Sequence, residues 1–198
     1  MLNWLFGKKN QATRGPDCVW MSGAAKLKGM CHEAERAAET GRSVLVVAWT
    51  LGAIDELADG LAKRQPLRCK DSFQRDALLR QLGQAGSVTV TLAKALPPEI
   101  KSAPTVPVEI LVFGRNDTRA ADDAIVHFAD AIGKGARVTF HLSFDDALLH
   151  EETDSLKPLL ARLGLTQDEA ISHPAVTRSI AQVQAKKSAA SGGPVRRA

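Results

Sequence analysis

Six apolar residues in a row, Val44-Leu-Val-Val-Ala-Trp49, constrain this chain more than any other feature. A strand with one wet face alternates apolar and polar side chains, whereas an unbroken apolar run suits a parallel strand covered on both faces. Such a strand needs helices above and below it, so the flanking chain should alternate strand and helix. It does. Asp17-Cys-Val-Trp-Met21 reads as an opening strand, and Ser22 is placed to cap a helix reaching Thr40. Along that helix Leu27, Met30, Cys31, Ala34 and Ala38 recur at helical spacing, and Gly41 ends it. Thr50 can cap the next helix, with Ile54, Leu57 and Leu61 on one face. Leu67-Arg-Cys69 is a short strand, and Phe73, Leu78, Leu79 and Leu82 mark a third helix. Ser87 to Leu92 and Val108 to Phe113 are strands separated by a loop holding Pro97, Pro98, Pro104 and Pro107. Ile125, Phe128, Ala129 and Ile132 line a helix that stops at Gly133, and Val138 to Leu142 is the last strand. About six short strands alternating with helices predict an α/β fold with a mostly parallel sheet and helices on both faces.

After Asp145 the pattern becomes helical only, with Gly164 as a break and Pro174 at the first turn of a final helix. Ser188 to Ala198 is small, Gly-rich and basic, the composition of a disordered tail. The first fifteen residues form an amphipathic head, in which Trp4, Leu5 and Phe6 precede Lys8 and Lys9. Two readings stand for it: weak peripheral contact with a membrane interface, or a chain end that packs one aromatic on the domain. The expected organisation is therefore a flexible head at 1–15, an α/β domain at 16–150, a helical extension at 151–187 and a tail at 188–198.

The formal net charge is +4, yet seven cations lie at the ends, namely Lys8, Lys9, Arg14, Lys186, Lys187, Arg196 and Arg197. The middle is therefore mildly acidic and lacks the broad basic footprint of a nucleic-acid binder. Cys18, Cys31 and Cys69 are scattered, without a CxxC pair or a Cys/His cluster, so neither a disulfide framework nor a zinc site is expected. Buried thiols in a reducing cytoplasm explain them. His127, His141, His150 and His173 lack metal-ligand spacing. The pairs Asp122-Asp123 and Asp145-Asp146 read as acids at helix starts. No apolar run reaches transmembrane length.

Three stretches resemble the second motor domain of the SecA preprotein translocase ATPase and the start of its scaffold helix. The first runs from Asp17 to Leu61, with a strand, a helix carrying Lys26, and Gly41-Arg-Ser-Val-Leu-Val46. The second is Phe140-His-Leu-Ser-Phe-Asp-Asp-Ala-Leu-Leu149. The third and most specific is Leu163-Gly-Leu-Thr-Gln-Asp-Glu-Ala-Ile171, followed by His173-Pro174 and Val176-Thr177. Together they cover roughly residues 17–187. The resemblance implies a RecA-like fold, of the helicase C-terminal type, with the scaffold helix cut short.

The chemistry of that family is not matched. A motor of this type needs a phosphate-cradling GxxxxGK[ST] loop, and the sequence contains none. The resemblance places two arginines, which stabilise charge on the transferred phosphoryl group, at Phe128 and Ala131. A glycine-rich turn that approaches the nucleotide falls on Ala93-Lys-Ala-Leu-Pro-Pro98, where no glycine remains. The expectation is no catalytic residue, no metal and no cofactor, with residual nucleotide binding left open. Phe128 has two readings: helix core at Ile125/Phe128/Ile132 spacing, or an apolar patch where a nucleotide once docked, suited to a protein partner. Phe128, His173, Pro174 and Val176 are the candidate partner-binding surface, and Trp4, Leu5 and Phe6 the candidate membrane contact.

The function expected is a non-enzymatic interaction or regulatory protein derived from a SecA-like motor. It would lie in the cytoplasm or at the inner membrane periphery, with Sec translocase components as partners. The alternatives are half of a split ATPase completed by a separate first motor half, and a nucleic-acid binder of helicase-like ancestry.

Overall fold

The computed structural model describes residues 11–100, 102–150 and 169–191. Trp4, Leu5 and Phe6, the 151–168 part of the expected helical extension and residues 192–198 lie outside them. The strands are β1 (Thr13–Arg14), β2 (Cys18–Trp20), β3 (Ser43–Ala48), β4 (Leu67–Cys69), β5 (Val88–Leu92), β6 (Val108–Phe113), β7 (Ala136–Ser143) and β8 (Ile171–Ser172). The α-helices are α1 (Gly23–Glu39), α2 (Leu51–Gly60), α3 (Arg75–Leu82), α4 (Arg119–Ile132) and α5 (Pro174–Ser191).

These strands form a single sheet in the order β4-β5-β3-β6-β7-β2-β8, with β1 also paired to β7. Every pairing is parallel except β2 with β8. The apolar run at Val44 is the central strand β3, buried along its whole length between β5 and β6. Its side chains point alternately to the two faces. Val44, Val46 and Ala48 meet Met30 and Ala34 of α1 and Ile54 and Leu57 of α2. Leu45 and Val47 belong to the opposite core, with Leu78 and Leu82 of α3 and Ile125, Phe128 and Ile132 of α4. Ile180 of α5 joins that second core. The mostly parallel sheet with helices on both faces, and the C-terminal helix, are as the residue pattern predicts.

The caps follow the sequence too. Ser22 Oγ accepts from Ala25 N at the start of α1, and Thr50 Oγ1 accepts from Ala53 N at the start of α2. Gly41 and Gly133 close their helices at positive φ, the conformation in which glycine carries no steric penalty.

The structure departs from expectation at the ends of the fold. Thr13 and Arg14 pair with Arg137 and Val138, so part of the expected flexible head is a strand on the sheet edge. Ile171 and Ser172 pair with Val19 and Cys18, so the C-terminal part is not helical only. Both strands have two residues, too few to show a period of two. Helix α5 runs to Ser191, past Lys187 and into the stretch expected to be disordered. No helix among the described residues is long and apolar enough to cross a membrane. All three cysteines are free, and burial pushes each thiol up to about 11.

Candidate functional site

Ligands of open parallel sheets sit outside the C-terminal ends of the strands. In this chain, side chains of its own occupy much of that rim. The Trp49 indole N–H, just past β3, donates to the carbonyl of Gly114, just past β6, at 3.1 Å. Gly114 has φ +89°, which a side chain would strain. Lys26, in the first turn of α1, is buried and ion-paired with Asp146 after β7. Its ammonium also lies 4.0 Å over the Phe113 ring. Asp146 accepts further bonds from the Ser143 N–H and hydroxyl, both at 3.0 Å. Asp145 accepts from the Gly23 N–H at 2.6 Å, which stabilises the positive end of α1. The lysine of the SecA-like helix is thus neutralised within the fold.

Beside this rim lies a buried polar lock. Arg115, two residues past β6, donates from its Nη2 to both oxygens of Asp17 at 2.8 Å. Its Nη1 lies 3.4 Å from Asp122 of α4 and 3.5 Å from Oε1 of Gln184 on α5. Gln184 donates to Asp122 at 2.8 Å and to the Asn116 carbonyl at 2.7 Å. The Asn116 N–H donates to the other Asp122 oxygen at 2.9 Å. All the charged members are nearly inaccessible to water. Burial pushes the Asp122 carboxyl up, against the pull of these donors and of Arg115. Asp17 also donates its N–H to Thr177 Oγ1 at 2.8 Å, tying the lock to the first turns of α5. The arrangement fastens α5 to the sheet and engages both terminal nitrogens of Arg115 within the chain.

The turn after β5 and Phe128, both singled out by the resemblance, come together elsewhere. The turn after β5 is a single 3₁₀ turn, Ala93–Ala95, running into Leu96, Pro97 and Pro98. It faces α4 across a cleft of about 330 Å³, whose far wall holds Ala121, Ala124, Ile125, His127 and Phe128. Among the described residues the lining contains no lysine, arginine, aspartate or glutamate. Phe128 is only 5% exposed and packs in the core as well as lining the cleft. Ala131 lies on the exposed side of α4, outside this cleft.

The other candidate surface is separate. His173 and Pro174 are exposed at the start of α5, where the His173 carbonyl accepts from the N–H groups of Val176 and Thr177. Val176 is half-buried against the core. His141, which the sequence only flagged, is buried beneath α1. Its Nδ1 accepts from the Trp20 indole N–H at 3.2 Å, and its Nε2 lies 3.6 Å from the Glu33 carboxylate. Burial first, and then the Lys26 charge, lower its pKa from the ordinary 6.5 to about 3, so it is neutral. Among the described residues no group of acids, histidines and cysteines is arranged to hold a metal ion.

Sequence reasoning missed the lock. Asp122 reads from the sequence as a helix-start acid, and no motif marks Arg115 as its partner. The usable signal was an arginine past a strand followed seven residues later by an aspartate in the first turn of a helix.

No protein-family model matches the chain. It is 27% identical over 181 residues to the protein translocase subunit SecA of Syntrophobacter fumaroxidans, covering 86% of this chain and 21% of that protein. The SecA of Desulfotalea psychrophila is 26% identical over 180 residues, with the same coverage. The C-terminal part of the Fun30 ATPase domain superposes with a TM-score of 0.47 at 10% identity, over 83% of this chain and 54% of that one. The chain thus spans about a fifth of the length of the curated relatives it matches. Over most of its own length this chain is SecA-like, and its resemblance is to the second motor domain of that protein.

Proposed function

We propose that this chain is a protein-interaction domain derived from a SecA-like motor half, that it carries out no ATP chemistry of its own, and that its partner belongs to the preprotein translocase. The observation that carries this reading is the cleft between Leu96-Pro97-Pro98 and Phe128. A phosphoryl-transfer site needs fixed positive charge aimed at the transferred group. The two stretches that would supply a glycine turn and an arginine meet here as proline, alanine and phenylalanine. Two cations at the strand ends, Lys26 and Arg115, are each neutralised by buried or half-buried carboxylates. An apolar cleft of this kind suits the side chains of a protein partner better than a triphosphate. On this reading the chain acts in the cytoplasm, at the membrane face where the translocase is engaged.

Calorimetric titration of the purified chain with the purified SecA motor of its own cell is the test. Binding should appear, and Ala124→Arg, at an exposed position on the cleft wall, should weaken it about tenfold by placing a charge in the contact. Wild-type affinity in Ala124→Arg would remove the cleft as the docking site. Turnover of ATP on mixing with a separate first motor half would instead establish the split-ATPase reading.

A further inference from the structure

We propose that the cleft between β1, the start of α4 and α5 is a binding site for a phosphate-bearing anion. It lies on a different face of α4 from the apolar cleft and has the opposite character. Its volume is about 510 Å³, the size of a small-ligand site. Arginines reach it from separate elements: Arg14 from β1, Arg119 from the first turn of α4 and Arg178 from α5. Arg115 forms part of the floor.

The charges there do not cancel. Among the described residues Asp123 is the one carboxylate on the lining, and it is 3.6 Å from Arg119. Asp17 and Asp122 are engaged beneath, with Arg115. Among the described residues neither Arg14 nor Arg178 has an ion-pair partner, although both face the same cavity. Holding several cations around a concave surface costs repulsion that a bound anion would relieve.

Two further features are independent of the count of arginines. The Arg115 side chain is 3% exposed, and among the described residues its Nε–H is a buried donor without an acceptor. An orphaned donor of this kind asks for an explanation, and an anion seated above it would supply the missing negative field. The Arg14 and Arg115 guanidiniums both lie over the Phe140 ring, at 5.4 and 4.8 Å from its centre. The ring holds Arg14 at the mouth, so less side-chain freedom is lost when it binds.

The chemistry indicated is phosphate. Planar guanidinium forks match pairs of phosphate oxygens, and three of them on separate elements favour an anion with more than one charge. The phosphate could be free in solution or carried on a lipid headgroup, and the test separates these sources.

The full chain would be titrated calorimetrically with inorganic pyrophosphate at low ionic strength. In parallel it would be sedimented with phosphatidylcholine vesicles with and without phosphatidylglycerol. Arg14→Gln and Arg178→Gln, both at exposed positions, are the variants, and Lys63→Gln, an exposed cation outside the cleft, is the control. Each cleft variant should lose about tenfold in affinity for pyrophosphate while the control stays at wild type. Pyrophosphate should also raise the thermal midpoint of the wild type and not of the cleft variants. The same pattern with phosphatidylglycerol vesicles and not with pyrophosphate would assign the phosphate to a lipid headgroup. Absence of binding to either probe, or binding that the cleft variants leave unchanged, or an equal loss in Lys63→Gln, would overturn the proposal.

Discussion

Two residues show how tightly the side chains of this fold are matched. A Cβ added at Gly29 would stand 1.9 Å from the Trp20 ring, deep inside contact distance. Trp20 is held by its bond to the buried His141, so it has no easy retreat. Gly29→Ala should therefore destabilise the chain by about 2–3 kcal/mol despite the better helix propensity of alanine. Trp20→Phe in the same chain should recover part of that loss, because it frees the space the methyl needs. Denaturant melts of the single and double variants check this. Arg115→Met tests the lock. It leaves the Asp17 and Asp122 carboxylates buried without their cation, which should cost about 3–5 kcal/mol. Arg115→Lys should recover little, since a single ammonium nitrogen cannot reach Asp17 as Nη2 does and also Asp122 and Gln184 as Nη1 does.

At the scale of elements, helix α5 is the least obvious part of the architecture and the one most dependent on partners. It is fastened by Gln184 in the lock, by Thr177 to the Asp17 backbone and by Ile180 in the core. Ile180→Ala should cost about 2–4 kcal/mol, and hydrogen exchange should show the amides of α5 losing protection before those of β3. What the sequence disclosed tracks how local each signal is. The run at Val44 and the cap at Ser22 depend on neighbours in the chain, and both were legible. The lock was not, because Arg115 lies 98 residues from Asp17 and 69 from Gln184, and no periodicity spans such gaps. β1 and β8 escaped notice because their pairing is dictated by β7 and β2, not by their own two-residue sequences. Phe128 could be placed on a helix face but not between core and cleft, since only the packed turn at Leu96-Pro97-Pro98 defines the cleft.

The whole molecule carries a pH dependence with a definite sign. His141 has its folded pKa lowered from 6.5 to about 3, so the unfolded chain takes up this proton first as the pH falls. Its contribution to stability is complete above about pH 6.5 and is lost progressively as the pH drops toward 3. The raised carboxyls of Glu33, Glu109 and Asp122 act in the opposite sense, so the His141 effect is best read as a difference. The unfolding free energy of wild type minus that of His141→Gln should fall on acidification below pH 6.5, with a slope approaching about 1.4 kcal/mol per pH unit. A flat difference between pH 7 and pH 4 would mean that His141 is not kept neutral by the fold.

The same whole-molecule view governs function. On the function proposed above, a SecA-like sheet whose rim is closed by Lys26–Asp146 and Trp49–Gly114, and whose turn after β5 meets Phe128 at an apolar cleft, would keep the shape of a motor half without its charges. Phosphate release from Mg-ATP by the purified chain is the most direct measurement of that claim. The account predicts none above the protein-free blank, at any chain concentration. Release that continues over many turnovers, and scales with the amount of chain, would contradict it.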